Sequence, residues 1–494
     1  MLFNSIEFLL FFPTVVGLFF LTPFKYRWLL LLAASYLFYG LANGWFLLLI
    51  IFSTLIDYSV GLKMSQYEDK KKRKPYLLVS LISNLGMLML FKYFNFFNES
   101  FADLFRLLNL EYAVTALSLI LPVGISFYTF QTLAYSIDIY NGKAKPERHF
   151  GIFSLYVTYF PQLVAGPIER SNSLIPQLKK KSALSYYNVT NGLKLMAWGF
   201  FKKVVIADQI SPMIKYITDS PQDFYGLTIL LCAMLFSYQI YCDFSGYSDI
   251  AIGAAQVMGV KLMVNFNRPF AAKNLADLWS RWHISLTTWF RDYVYIPIGG
   301  NRGGQVKLVR NVLIVFIVSG LWHGANYNFL IWGILNGVYV VVSILLMRRS
   351  KDKPVPQVSN LRQLIVTFFQ KSYTFVLFSL FMLFFFPKDF SQSSTLIVNM
   401  FSNTAQWFQL VISNVDNARS ELIYFGFGIN HMIVLFLCIA LLEVVQYYDG
   451  KVGSFRDFWN RKPIAIRWFG YLNLIVIIVL FSYQQDAPFY YFQF

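Results

Sequence analysis

Long apolar runs separated by short polar segments dominate the pattern of this chain. Runs long enough to cross a hydrocarbon layer, singly or with small interruptions, include Phe8–Phe20, Tyr36–Ile56, Tyr76–Leu90 and Leu364–Phe386. A spanning helix needs about 20 mainly apolar residues, whereas a membrane β-barrel would alternate apolar and polar residues along each strand. The pattern therefore predicts an all-α polytopic integral membrane protein with roughly 11 spanning helices.

Two regions depart from this pattern. Residues 149–206 mix apolar stretches with prolines and internal lysines, which indicates interfacial or re-entrant helices that surrounding protein must shield. Residues 265–310 carry arginines and lysines among tryptophans and tyrosines, a pattern typical of amphipathic helices in the membrane interface. Because neither an internal repeat nor a separate soluble domain is evident, residues 1–494 are predicted to form one membrane-embedded domain.

The composition agrees with a membrane protein. Only 14% of the residues are charged, against about 25% in an ordinary soluble domain. The net charge of +17 would also suit a nucleic-acid partner. However, the basic residues lie between the apolar runs, where membrane topology and anionic lipid headgroups account for them. We therefore expect membrane lipids as partners and no nucleic acid.

The loop charges predict an orientation. The segment from Lys63 to Lys74 is rich in lysine and is expected in the cytoplasm, whereas residues 388–430 contain few basic residues and are expected outside. Continued along the chain, this alternation predicts that both termini lie outside. The start "MLFNSIEFLL" has no basic segment before its apolar run, so we expect a retained first span and not a cleaved signal peptide.

Several polar side chains lie in or beside apolar runs, where ionisable groups are costly and often functional. Asp243 and Asp249 are of this kind, and they either pair with Arg281 or Arg291 to fix helix packing or belong to a functional site. Trp279 lies in the arginine-rich segment of residues 265–310, and its position also fits an interfacial aromatic belt.

The stretch "IVSGLWHGANYNF", residues 317–329, places His323 between two glycines in an apolar hairpin. Such a histidine is either a packing residue or the centre of the chemistry. Gly320 and Gly324 leave space for something to approach the backbone, and Asn326 and Asn328 supply hydrogen-bonding groups. The flanks of the hairpin are both basic, so His323 is expected within the membrane and accessible from the cytoplasmic side.

The sequence lacks the motifs of several enzyme classes, which reduces the number of possible reactions. The chain has no Gly-x-Ser-x-Gly turn and no phosphate-binding glycine loop. Its three scattered cysteines predict neither a disulfide framework nor a metal site. What remains is general-base chemistry on a pre-activated donor: a histidine deprotonates a hydroxyl that attacks a thioester, and N–H groups hold the oxyanion.

A set of motifs spread over most of the chain resembles the membrane-bound O-acyltransferases (MBOAT), specifically the alginate O-acetylase branch of bacteria. The motifs are "LPVGISFYTFQTLAYSIDIYNG" (121–142), "FPQLVAGPIER" (160–170), "YCDFSGYSDIAIG" (241–253), "NFNRPF" (265–270), "LWSRWHISLTTWFRDYVYIPIGGNR" (278–302), "SGLWHGANYNFLIWG" (319–333) and "FYYFQF" (489–494). The core of the domain is thus expected at about 121–346.

The resemblance implies an MBOAT fold with a central tunnel through the bacterial cytoplasmic (inner) membrane. It implies His323 as the catalytic residue and His283 as a second histidine that supports catalysis or donor placement. It also implies transfer of an acetyl group from a cytoplasmic donor, acetyl-CoA, towards an extracytoplasmic polysaccharide, often with a periplasmic SGNH-type partner, and no bound cofactor. Candidate polar residues of the tunnel or its support are Asp243, Asp249, Asn326, Trp279 and Arg281.

The chain end "PFYYFQF" has two readings. Its spacing resembles a short motif of the related D-alanylation system, in which a terminal tyrosine is proposed to carry the acyl group. Tyr491 is then a possible acyl carrier that accepts acetyl near His323. The alternative is an aromatic anchor in the membrane interface.

Other functions stay open at this point. A transporter would use the buried acids and histidine as an ion path, and a scaffold would recruit a synthase without catalysis. The same fold could also transfer D-alanine or a longer acyl chain. Alginate, cellulose, peptidoglycan and other exopolysaccharides are all possible acceptors.

Overall fold

The computed structural model describes residues 1–41, 44–350, 360–402, 404–413, 417–482 and 489–490, and over these residues the protein is helical, without β-strands. The first helices are α1 (Ile6–Leu21), α2 (Phe24–Gly40), α3 (Phe46–Met64), α4 (Lys70–Leu88), α5 (Phe94–Leu107), α6 (Ile125–Tyr140), α7 (Phe150–Thr158), α8 (Ser171–Leu178), α9 (Tyr186–Phe200), α10 (Asp208–Asp219) and α11 (Leu227–Val257). The others are α12 (Leu275–Arg281), α13 (Ile284–Phe290), α14 (Gly304–His323), α15 (Tyr327–Ser350), α16 (Asn360–Phe381), α17 (Phe390–Phe401), α18 (Thr404–Ser413), α19 (Asn417–Leu422), α20 (Ile429–Val452), α21 (Phe455–Asn460) and α22 (Ile464–Ser482). Short π-helical segments lie at Met89–Tyr93, Phe201–Ala207 and Arg291–Tyr295.

Eight helices of the described residues are long and apolar enough to cross a membrane. They are Phe46–Met64, Lys70–Leu107, Leu227–Val257, Gly304–His323, Tyr327–Arg348, Leu361–Phe384, Ile429–Lys451 and Ile464–Ser482. This confirms an all-α polytopic membrane protein. The count is below the roughly 11 spans expected because several apolar helices, such as α1 and α6 with 16 residues each, are shorter than a full crossing.

The apolar run Tyr36–Ile56 does not form one span. Helix α2 ends at Gly40 and α3 begins at Phe46, so the run contributes to two helices. The sequence between them, "GLANGW", contains glycine and asparagine, which favour a turn over a continuous helix. Hydropathy alone did not reveal this break.

Two pairs of glycines let α9 lie directly against the central helix α11. A Cβ atom added at Gly199 would lie 2.6 Å from the carbonyl oxygen of Gly246, and one at Gly192 would lie 2.6 Å from that of Gly253. Small residues permit this close approach of helix backbones in membranes. The contact brings the π-helical segment Phe201–Ala207, which continues α9, alongside the middle of α11.

A buried polar network joins α3, α4 and α6. The Asp57 carboxylate is fully buried and accepts hydrogen bonds from Ser80 Oγ at 2.5 Å, Asn84 Nδ2 at 2.8 Å and Ser136 Oγ at 3.1 Å. Buried polar groups in a membrane need such partners. The network therefore fixes how these three helices pack.

In the segment of residues 265–310, apolar side chains of the short helices are buried against other parts of the protein. Leu275, Leu278 and His283 are at most 1% exposed, and Trp289 Nε1 donates to the carbonyl oxygen of Phe130 at 2.8 Å. The short helices α12 and α13 are packed among the longer ones, because their apolar faces are covered by protein. This places His283 in the interior.

Candidate active site

A small cavity lies where the start of α6, the end of α14 and the π-helical segment after α4 meet. Its volume is about 30 Å³. It is lined by Lys92, Leu121, Pro122, Val123, Gly124, Ile125, Ser126, Phe127, Val164, Trp322 and His323. Gly124 has φ +77°, and a Cβ atom there would lie 3.1 Å from the carbonyl oxygens of Leu163 and Val164. Glycine is therefore required for the turn that forms this wall.

His323 is the last residue of α14 and is 5% exposed. Aromatic rings surround its imidazole: those of Trp322, Trp332 and Phe385 have centroids at 4.9, 5.1 and 5.4 Å. These contacts restrict the orientation of the ring, and the cavity gives it an open side. His323 thus packs against aromatic rings and also lines the cavity.

His323 lies far from the basic end of its helix. It follows Arg310 by 13 residues along α14, a rise of about 20 Å. Lys92 similarly follows Lys70, at the basic start of α4, by 22 residues within the helix Lys70–Leu107. His323 and Lys92, which line the cavity, therefore lie away from the basic ends of their helices.

The glycines beside His323 do not leave room for a ligand. A Cβ atom on Gly324 would lie 2.1 Å from the Phe329 ring, and one on Gly320 would lie 2.3 Å from the Phe329 carbonyl oxygen. A Cβ atom on Gly333 of α15 would likewise lie 2.4 Å from the carbonyl oxygen of Phe316 in α14. The space that the glycines provide is taken by α15, so their role is to close the hairpin.

Lys92 is a site residue that the sequence analysis missed. Its Nζ donates to the carbonyl oxygen of Trp322 at 2.6 Å and to that of His323 at 3.1 Å, and Tyr93 Oη donates to that of Leu321 at 3.0 Å. Carbonyls at the end of a helix have no partner within the helix, and a cation there also interacts favourably with the helix dipole. A lysine in the apolar run after Leu88 was a signal that could have been used.

His283 lies behind the cavity and does not line it. Its ring is near those of Phe127, at 6.1 Å, and Trp322, at 5.9 Å, both of which line the cavity. Its Nδ1 lies 3.2 Å from Asn265 Oδ1, an acceptor, which indicates that the ring proton is on Nδ1. Burial lowers the pKa of His283 to about 3, so the imidazole is neutral at physiological pH.

The other predicted polar residues lie outside the cavity lining. Trp279 Nε1 donates to Asn336 Oδ1 at 3.2 Å, and its ring contacts Trp332 behind His323. Arg281 pairs with Asp277 at 2.7 Å. Asn326 lies in the turn after α14, and its Nδ2 donates a hydrogen bond to the carbonyl oxygen of Lys388 at 2.8 Å.

Asp243 and Asp249 pair with lysines and not with Arg281 or Arg291. Lys203 Nζ lies 2.6 Å from Asp243 Oδ1, and Lys202 Nζ lies 2.7 Å from Asp249 Oδ2. The partners come from the π-helical segment that the glycine contacts bring against α11. Arg281 and Arg291 instead pair with the nearby acids of their own segment.

Of the two described residues of the C-terminal segment, Phe489 is buried and Tyr490 is half-buried. Phe489 is 1% exposed, with Lys203 Nζ 4.4 Å from its ring centroid, and the backbone N–H of Tyr490 donates to Asp243 Oδ2 at 2.9 Å. Phe489 is therefore not an anchor in the lipid interface. Tyr490 Oη also donates to the carbonyl oxygen of Phe386, at 3.5 Å, next to the Phe385 ring that contacts His323. Tyr491 lies outside the described residues.

Within the residues that the structure describes, no group of three or more His, Cys, Asp or Glu side chains could hold a metal ion. What the cavity lining offers is a histidine and a lysine that are joined through the backbone carbonyl of the histidine. Such a pair suits removal of a proton from a hydroxyl and stabilisation of a negative oxygen.

Comparison with known proteins identifies similar sequences. A family model described as the membrane-bound O-acyltransferase family matches residues 149–387. The chain is 33% identical to the probable alginate O-acetylase of Pseudomonas aeruginosa, over 91% of this chain and 82% of that protein. It is 32% identical to the probable alginate O-acetylase of Pseudomonas putida over the whole length of both. It is 37% identical to a peptidoglycan O-acetyltransferase of Helicobacter pylori, over 65% of this chain and 64% of that protein.

Proposed function

Because this chain belongs to the membrane-bound O-acyltransferase family and is an O-acyltransferase, we propose that it transfers acetyl groups to a polysaccharide outside the cytoplasmic membrane. The donor is a thioester on the cytoplasmic side, acetyl-CoA. The similarity to alginate and peptidoglycan O-acetylating proteins supports a polysaccharide acceptor. The observation that carries the proposal is the cavity bounded by His323 and Lys92.

His323 acts as the general base. Its imidazole lies at the cavity wall, where an acceptor hydroxyl can approach it, and imidazole is the side chain best suited to take a proton near neutral pH. The hydroxyl oxygen attacks the thioester carbonyl carbon as its proton passes to His323. The carbon–sulfur bond then breaks, and the leaving thiolate takes up that proton, which gives an ester and free thiol.

His283 has a positioning role in this proposal. It is neutral and lies behind Phe127 and Trp322, so it supports the wall of the cavity and does not reach the reacting atoms. Trp279 supports Trp332 behind His323 in the same way.

The location of the cavity supports transfer towards the outer side. If the basic loops face the cytoplasm, the end of α14 that carries His323 lies towards the outer face. The acetyl group then enters from the cytoplasm along a tunnel and meets an acceptor from the other side. A periplasmic SGNH-type partner would take over the acetyl group for the final ester, and both termini would lie on the outer side.

The cavity volume predicts a preference for short acyl groups. One water molecule needs about 10–15 Å³ by the same measure, so a cavity of about 30 Å³ suits an acetyl group and not a long chain. We expect transfer from acetyl-CoA to exceed transfer from hexanoyl-CoA by at least about tenfold, which corresponds to 1.4 kcal/mol. Initial rates in membranes that contain the protein test this. Equal rates with both donors, or faster transfer of D-alanine from a thioester, would contradict the acetyl assignment.

Tyr491 is a second part of the proposal, as a carrier that accepts acetyl near His323. The burial of Phe489 and the hydrogen bond from Tyr490 Oη to the carbonyl oxygen of Phe386 support it. After incubation with acetyl-CoA, we expect acetyl on Tyr491 in mass spectra of the C-terminal peptide and its loss in Tyr491→Phe. Tyr490→Phe is the matched control and should keep the label. An unlabelled peptide, together with full activity of Tyr491→Phe, would rule out the carrier role.

A further inference from the structure

Lys92 has one N–H more than its protein contacts require. An ammonium carries three donors, and the carbonyl oxygens of Trp322 and His323 take two of them. Among the described residues, neither a further hydrogen-bond acceptor nor a carboxylate pairs with this ammonium. The side chain lines the same cavity as His323, so the third donor is available to a molecule bound there.

A charge without a counter-ion at this depth is costly to bury. A neutral donor could also hydrogen-bond the two carbonyls, as the hydroxyl of the neighbouring Tyr93 does for Leu321. Hydrogen bonding at the end of α14 therefore does not require the charge of Lys92, although a cation adds a favourable interaction with the helix dipole. It is of use where a negative charge develops during the reaction.

We infer that Lys92 binds the oxyanion formed on the acyl group during transfer. This role rests on the proposed acetyl transfer and names a further catalytic residue for it. When the hydroxyl oxygen forms its bond to the thioester carbonyl carbon, the π electrons of the carbonyl move to its oxygen, and Lys92 donates its third N–H to that oxygen. The electrons return to re-form the carbonyl as the carbon–sulfur bond breaks, and Lys92 keeps its proton throughout.

The contacts of Lys92 also fix its distance from the base. The Lys92 ammonium donates a hydrogen bond to the backbone carbonyl of His323 itself. The ammonium and the imidazole are therefore held together at the end of α14. A donor that is already in place loses little energy to reorganisation when the charge appears. Most of the side chains that line the cavity are aromatic or aliphatic, and an electrostatic interaction is stronger in such surroundings than in water.

The test compares Lys92→Gln, Lys92→Met and Lys92→Arg by initial rates of transfer from radiolabelled acetyl-CoA to polymer in host membranes. Gln can still donate to the carbonyls but has no charge. We expect Gln and Met to lower kcat by about 10²–10³-fold, the usual effect of removing one oxyanion donor. KM for acetyl-CoA should change little, and Arg should recover a large part of kcat.

Tyr93→Phe is the matched control, since it removes a hydrogen bond to the same helix end without touching the charge. It should keep nearly full kcat. Near-normal kcat in Lys92→Gln would reduce Lys92 to a helix cap and overturn the inference, as would an equal loss in Tyr93→Phe. A raised KM for the acceptor with unchanged kcat in Lys92→Gln would also overturn it. His323→Gln in the same assay separates the two claims: if only that variant is inactive, the oxyanion role fails and the proposed function stands.

Discussion

Replacing His323 with glutamine is expected to lower the rate of acyl transfer by about 10²–10⁴-fold, the usual contribution of a general base. The rings of Trp322, Trp332 and Phe385 surround this position. Glutamine has a similar size and polarity, so the cavity and the fold should persist. The measurement is the O-acetyl content of the surface polysaccharide in a deletion strain that carries the variant gene.

The control for this experiment is another histidine of the same chain. His431 lies at the start of α20, against Phe427 and away from the cavity lining. His431→Gln should restore the O-acetyl content of the wild type. Normal acetylation by His323→Gln, with protein levels equal to the wild type, would contradict the assignment of the base.

Replacing Lys203 with methionine is expected to destabilise the protein by about 3–5 kcal/mol, the usual cost of breaking a buried ion pair from one side. Lys203 Nζ lies 2.8 Å from Asp208 Oδ1 and 2.6 Å from Asp243 Oδ1, with 2% of its side chain exposed. Without it, two acids remain buried without their shared cation. The change should also loosen Phe489, whose ring lies over the same ammonium.

The loss of stability caused by Lys203→Met should grow as pH rises. Burial already raises the pKa of Asp208 to about 7, and the coulombic effect of Lys203 opposes that rise. The folded-state pKa of Asp208 lies above its unfolded value of 3.8. The contribution of Asp208 to the free energy of unfolding is therefore complete below pH 3.8 and is lost as pH rises through the folded-state pKa. The variant should therefore be close to the wild type in acid and least stable above about pH 7.

Thermal unfolding in detergent over a pH series measures this effect. Lys202→Met is the matched control, because its partner Asp249 is 22% exposed and solvent can stabilise the carboxylate. Lys202→Met should lower the free energy of unfolding much less than Lys203→Met does. A Tm of Lys203→Met equal to that of the wild type at every pH would show that the Lys203 cluster does not stabilise the fold.

Much of the fold follows from local pattern. The apolar runs predicted the spans of α4 and α16, and the glycine-flanked histidine predicted a hairpin with His323 at its turn. These features depend on residues close in sequence, and the cost of an unsatisfied backbone in lipid enforces them.

The errors arose where distant segments meet. Lys92 contacts His323 across 231 positions, and Asp243 is paired by a lysine that only the close approach of α9 and α11 brings near. The space beside Gly320 was correctly inferred, but its occupant, α15, was not. Periodicity and composition report which face of a helix is buried, but not which segment covers it.

The central claim is that acetyl leaves acetyl-CoA and reaches the polysaccharide through chemistry at His323. The most direct measurement uses sealed membrane vesicles from the host, with radiolabelled acetyl-CoA supplied to the cytoplasmic face, and scores alkali-labile label on the polymer at the other face. We predict steady accumulation with the wild type and, with His323→Gln, a rate lower by about 10²-fold or more. Equal accumulation with both proteins would contradict the account.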